Sequence, residues 1–256
     1  MHPFQRTELL VGRDGWQRLV AARMMVVGLG GVGSYAAEAL VRAGVGHLTL
    51  VDFDQVCLTN LNRQLHATRR TVGAAKAPIM GERARSINPK ATVVVEQVFY
   101  DADTAERLLS PGYDYVLDAI DNVTAKLHLL EQCVRRGIPV ITAMGAGGRM
   151  DPTRLRVTDL SETAKCPLAK VIRKELRARG ITTGIQAVWS DEEPLGLDAQ
   201  VAAEFHCICP SGDHAPLGGR GHTCDDRHVV QGTVPWMPAM FGLAMAGTAV
   251  NLHLGR

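Results

Sequence analysis

Aromatic residues are scarce in this 256-residue chain, with Phe, Trp and Tyr together making up 5%. That scarcity argues against a surface built to stack one base after another. Neither sign of charge dominates, since 28 basic and 26 acidic side chains leave a net charge of +2. So near a balance identifies no partner; only local clusters can. The chain shows no internal repeat and no low-complexity tract. Met1 to Val11 carries Arg6 and Glu8 without an apolar core, so no signal peptide is expected there. A reducing cytoplasm is the natural compartment, in which the six cysteines are not expected to form a disulfide framework. Cys57 and Cys133 lie in apolar segments and read as small buried hydrophobes. Cys207-x-Cys209 and His222-x-Cys224, with His206, His214 and His228 nearby, offer enough ligands for zinc but lack paired C-x-x-C spacing. Ordinary thiols are expected there, and no zinc site is assigned.

One long apolar run is present, "VPWMPAMFGLAMAGTAVNLHL" over 234–254. It is almost long enough to span a bilayer. Pro235 and Pro238 open it, however, and Asn251 and His253 interrupt its end. Gly242, Ala246 and Gly247 suit close packing on protein, so a fully buried C-terminal helix is expected, with membrane insertion the minor alternative.

The remaining hydrophobic residues, within a total of 46%, fall into short runs separated by helical patterns. Strands are predicted at 24–28, 47–52, 92–98, 115–117 and 139–142, and helices at 32–43, 73–87 and 123–136. Beyond Gly145, "LRVTDL" and "IQAVWS" read as strands flanking a basic helix. Residues 191–227 have weak periodicity and read as a long mobile loop or lid. The expected fold is α/β: a Rossmann-like, doubly wound, mainly parallel sheet with a smaller C-terminal strand extension, a long loop and a terminal helix. A single domain over 1–256 is expected, with its nucleotide-binding core at 24–145.

"GLGGVGS" carries Gly28, Gly30, Gly31 and Gly33 directly after a strand and before a helix. Such glycines permit a tight turn and close backbone approach to phosphate, and the helix N-terminus supplies N–H donors. Asp52 ends the second strand, where a ribose-binding acid belongs. These features suit NAD as well as ATP. A dinucleotide carries about two negative charges on its phosphates, whereas ATP carries about four and concentrates more on departing pyrophosphate. Arg63 and Lys76 supply fixed cations for such a tail, with Asn60, Asn62 and Gln64 as neutral donors. Asp121 follows the fourth strand on the same rim, where it suits Mg²⁺ bound together with phosphate oxygens. Singly, Arg63 and Lys76 read as surface cations and Asp121 as a helix cap; grouped on one rim they point to ATP.

The succession G-x-G-G-x-G, Asp52-x-Asp54, Asn60-x-Asn62-Arg63-Gln64, Lys76 and Asp121-Asn122 resembles the ThiF/MoeB group of ubiquitin-activating-type adenylating enzymes. The resemblance covers roughly 4–160 and the last helix. It implies that the glycines and Asp52 hold adenosine and ribose, that Asn60, Arg63 and Lys76 hold the triphosphate, and that Asp121 holds Mg²⁺. Asp54, Asn62, Gln64 and Asn122 would complete the pocket. It further implies a homodimer in which Arg6, from "FQRTELLVG", reaches into the partner's site. "AMGAGGRMDPTRLRVTDLSET" followed by "PLAKVIRKELRARG" resembles the branch that dehydrates threonylcarbamoyladenosine in tRNA. Cys166 stands where that branch often carries Asp.

That resemblance implies ATP-dependent closure of an oxazolone ring through a carboxyl adenylate. Some members of the branch accept sulfur from a cysteine desulfurase system, with Cys224 the positional candidate here. Lys170, Arg173, Lys174 and Arg177 form a basic stripe at helical spacing, opposite Leu168, Val171, Ile172 and Leu176. With Arg69 and Arg70 beside the nucleotide rim, they are the candidate tRNA contacts. Adenylation of a ubiquitin-like sulfur carrier is the rival within the family. A NAD-binding oxidoreductase or nucleotide-sensing module is the rival outside it.

Overall fold

A computed structural model describes residues 2–204 and 231–256. Seven strands are present: β1 (Arg23–Val27), β2 (His47–Val51), β3 (Thr92–Glu96), β4 (Tyr115–Asp118), β5 (Val140–Ala143), β6 (Leu155–Asp159) and β7 (Gln186–Ser190). They form one sheet in the order β3-β2-β1-β4-β5-β7-β6, parallel throughout except where β6 runs against β7. Strand order reverses between β1 and β4. The crevice beyond the carboxyl ends of those strands is where such sheets accept ligands.

Helices α2 (Gly33–Ala43), α3 (Lys76–Ile87) and α8 (Trp236–Leu254) cover one face, and α4 (Ala102–Leu109), α5 (Val123–Arg135) and α6 (Pro167–Ala178) the other. Met24 and Val26 of β1 enter the first core while Met25 and Val27 enter the second. Coverage of both faces explains why the strand reads as an unbroken apolar run. The remaining helices are α1 (Gln5–Ala21), kinked at Gly12, and short α7 (Ala199–Glu204).

All seven strands fall where the sequence places them, and so do most helices. Three helices are additional: α1, α4 and α7. The last lies inside the stretch expected to be a loop, residues 191–227, of which 205–227 lie outside the described residues. Helix α3 begins at Lys76 rather than Gly73, because Gly73 has φ +85° and sits in the preceding turn.

The C-terminal helix is not fully buried. Phe241, Gly242, Met245 and Ala249 pack inward, while Trp236, Met240, Leu243 and Leu252 are each at least 40% exposed. Among the described residues no helix is long and apolar enough to cross a membrane.

The basic helix α6 also differs from its expected division. Val171 is 45% exposed rather than packed. Arg173 turns inward and donates to the carbonyl and hydroxyl of Thr163, leaving Lys170, Lys174 and Arg177 as the exposed stripe. Cys166 stands at the N-cap without a side-chain capping bond, where an aspartate would accept one.

Candidate active site

The glycine loop after β1 closes so tightly that side chains are excluded at Gly28 and Gly33. Gly28 has φ +85°, and an added Cβ would lie 2.7 Å from the Ala119 carbonyl oxygen. At Gly33 it would lie 1.7 Å from the Gly28 oxygen. Gly30 faces Gln64, whose Nε2 a Cβ there would meet at 3.8 Å, and Gly31 lies between Pro238 and the stem of Arg63, where a Cβ would meet Pro238 Cβ at 3.0 Å and Arg63 Cγ at 3.3 Å. The structure therefore brings the glycines, Arg63 and Gln64 to one place.

Asp52 fastens this loop to the end of β2. Its two carboxylate oxygens accept the Leu29 N–H at 2.6 Å and the Asp54 N–H at 2.7 Å. Burial pushes its carboxyl up, and neighbouring Asp54 adds to the rise, while Lys76 and the two N–H donors pull it down. Lys76, 4% exposed at the start of α3, donates to Asp54 at 2.8 Å. Arg63 donates through Nη1 to the Thr59 carbonyl and to Asn62 Oδ1, both at 2.9 Å. Asn60 has a structural use as well, accepting the Cys57 N–H at 2.9 Å to hold a tight turn.

Asp121 is exposed at the exit from β4, and Asn122 rather than Asp121 caps α5, accepting the Ala125 N–H. Beneath them Lys126 and Asp118, both fully buried, pair at 2.6 Å. Asp118 also accepts the Ile120 N–H at 3.1 Å, and Lys126 reaches Thr142 Oγ1 at 3.2 Å and the Ala143 carbonyl at 3.1 Å. This network sets the turn that carries Asp121 and ties the exits of β4 and β5 together. Among the described residues no three His, Cys, Asp or Glu side chains cluster as a metal site. A divalent ion here would be held by one or two carboxylates with phosphate oxygens, which is the coordination Mg²⁺ favours.

Arg6 is not part of this rim. It lines a surface cleft with Arg42, Ser86 and Ile87, at the ends of α2 and α3 remote from the glycine loop. Arg69 and Arg70 are exposed. Cys207, Cys209 and Cys224, with their neighbouring histidines, lie outside the described residues.

Sequence reasoning missed four buried polar residues at or beside the rim: His66, the Asp118–Lys126 pair and Arg149. His66 is 3% exposed with no partner for either ring nitrogen, and burial and then the charge of Lys76 pull it down to about 4. The signal for Lys126 was a lysine within an otherwise apolar helical face, "AKLHLL".

A glycine loop, a clamped acid and two cations beyond the carboxyl ends of a mainly parallel sheet define a nucleotide-binding α/β protein. The chain belongs to the ThiF family, whose sequence model matches residues 4–256. It is 46% identical over 204 residues to the tRNA threonylcarbamoyladenosine dehydratase of Bacillus subtilis (strain 168), covering 80% of each chain. To the protein of that name from Escherichia coli (strain K12) it is 45% identical over 201 residues, covering 78% of this chain and 73% of that one. Its fold matches the crystal structure of the E. coli tRNA N6-threonylcarbamoyladenosine dehydratase in complex with ATP with a TM-score of 0.81. That match is 37% identical and covers 98% of this chain and 93% of the other.

Proposed function

We propose that this protein uses ATP to cyclise N6-threonylcarbamoyladenosine at the anticodon-adjacent adenosine of tRNA, with loss of water. The observation that carries the reading is the convergence of Gly30, Gly31, Arg63 and Gln64 at the glycine loop, in a chain so similar to dehydratases of this name. The substrate carboxylate attacks the α-phosphate, forming an acyl adenylate and releasing pyrophosphate. Arg63 and Lys76 offset the charge that builds on the departing group. Mg²⁺, held by Asp121 and the phosphate oxygens, would supply further charge neutralisation. The urea oxygen of the same nucleoside then attacks the activated acyl carbon, expelling AMP and closing the oxazolone as a nitrogen-bound proton leaves. Because this nucleophile is tethered, its effective concentration is high and no enzyme nucleophile is needed.

Asp54, Asn60, Asn62 and Asn122 complete the pocket, with Asp52 positioning its glycine loop. Lys170, Lys174 and Arg177, with Arg69 and Arg70, form the tRNA phosphate contacts; all five are exposed. Arg173, turned inward, is withdrawn from that set. The exposed apolar faces of α8 and α1 support a homodimer, and a tRNA substrate supports a cytoplasmic location. Cyclisation consumes no sulfur, so a desulfurase partner would serve a separate step.

The test is to incubate the protein with ATP, Mg²⁺ and threonylcarbamoylated tRNA and analyse the nucleosides by mass spectrometry. A nucleoside lighter by one water is expected. An unchanged nucleoside, with ATP–pyrophosphate exchange stimulated instead by a ubiquitin-like carrier, would replace this reading with carrier adenylation.

A further inference from the structure

Arg149 follows β5 in the run "GAGGRMD" and is 2% exposed. Its Nη1 is committed, donating to the carbonyls of Gly145 and Gly147. Its Nε and Nη2 are buried and have no partner, and among the described residues no carboxylate pairs with it. A guanidinium left uncompensated in the interior is costly, so a fork of this kind calls for an anion.

The surroundings hold the fork in place. Glu192 accepts the N–H groups of Met150 and Asp151 at 3.0 and 2.9 Å, and Trp236 Nε1 donates to the Met150 carbonyl at 2.8 Å. The Gly148 N–H reaches the Gly232 carbonyl at 2.8 Å. The same short segment, 231–233, reaches the nucleotide rim, where Asn62 Nδ2 donates to the Thr233 carbonyl at 3.0 Å. Lys126 links the exits of β4 and β5 from below. Arg149 therefore lies on the loop that leaves β5, the strand beside the one whose exit carries Asp121, and next to a segment that also reaches Asn62 on the nucleotide rim.

We propose that Arg149 receives the substrate's free carboxylate through its Nε–Nη2 edge and presents it for adenylation; this rests on the reaction given above. The edge matches a carboxylate, taking one lone pair from each oxygen in parallel bonds. A carboxylate has about four lone-pair sites, so the outward pairs remain for attack on phosphorus. The contact is made in the ground state, so its loss falls mainly on tRNA binding. A lysine, with a point charge and no fork, replaces it only partly.

The experiment uses the full-length protein, wild type, R149Q and R149K, without ATP. Binding is measured to an anticodon stem-loop bearing threonylcarbamoyladenosine and to the same stem-loop with the threonine carboxylate converted to carboxamide. Wild type is expected to prefer the carboxylate at least tenfold, R149Q to bind both within twofold, and R149K to fall between. The KM for ATP, obtained from turnover of each variant, should stay within twofold. Retention of the tenfold preference by R149Q overturns the assignment while leaving the cyclisation reading intact. A raised ATP KM with the preference retained would make a nucleotide phosphate the occupant and overturn it too. Wild type that binds neither stem-loop overturns both readings. Should R149Q fail to fold, a wild-type preference in R149K decides against the proposal.

Discussion

The imidazole of His66 sits beside Lys76 with its two nitrogens buried and unpartnered. Burial first, and the lysine charge second, lower its protonation from 6.5 to about 4. The unfolded chain therefore binds the proton more tightly than the folded one. Stability from the neutral ring is fully present above pH 6.5 and lost as pH falls toward 4. At 1.36 kcal/mol per unit the whole loss is about 3 kcal/mol. Urea unfolding of wild type and H66Q at pH steps from 7.5 to 4 should give profiles that converge toward acid by about that amount. Parallel profiles would show that His66 does not carry this linkage. His66 was invisible in the sequence for the same reason as Arg149. Burial is a tertiary property, and a polar residue in a one-dimensional pattern reads as solvent-facing. The glycines, Arg63, Gln64 and Lys76 were legible because each stands at a locally marked position, a strand end, a tight turn or a helix start, and parallel pairing of β1 with β2 brings those positions to one rim.

At the scale of elements, the long contact between α2 and α8 decides how firmly the glycine loop is held. Gly242 faces α2, and a Cβ there would come within 2.2 Å of the Val32 carbonyl oxygen and 2.9 Å of the Ala36 nitrogen. These are backbone atoms, so the helices must move apart. Alanine gains about 1 kcal/mol over glycine in helix propensity, but overpacking costs about 1–3 kcal/mol and more against backbone. G242A should therefore lower unfolding stability by about 1–2 kcal/mol. It should also raise the KM for ATP, because Val32 lies within the glycine loop. A variant as stable as wild type, with an unchanged ATP KM, would show that α8 does not brace the loop. This asymmetry explains the sequence reading of α8. Its small residues pointed to close packing, which Gly242 and Ala246 make, but its uniform hydropathy did not show that Gly247, Trp236 and Leu243 remain outside. Helix α4 was missed although Asp101 and Thr104 form a capping box, because eight residues give too few turns for periodicity to show.

For the whole molecule, the candidate residues divide between the two edges of the sheet. The glycine loop, Arg63 and Lys76 gather at the carboxyl edge, whereas Arg6 lies beside Arg42, Ser86 and Ile87 at the other. An arginine placed there cannot serve the site of its own chain, so a catalytic Arg6 requires a second copy. Apolar surface for such an association is present: Leu9 and Leu10 of α1 are 82% and 75% exposed, and Trp236, Met240, Leu243 and Leu252 line the open side of α8. A two-fold dimer would place each Arg6 equivalently. R6A and R63A should each lose most turnover of threonylcarbamoylated tRNA as homodimers. Co-expressed with different affinity tags and purified through both, the mixed dimer concentrates both defects in one site and leaves the other intact. Cyclisation should then return to about half the wild-type rate per dimer. If the doubly tagged dimer forms and stays as inactive as its parents, Arg6 does not act across the interface. If no mixed dimer forms and the protein sediments as single chains, the exposed faces of α1 and α8 do not join copies, and Arg6 has no site to reach.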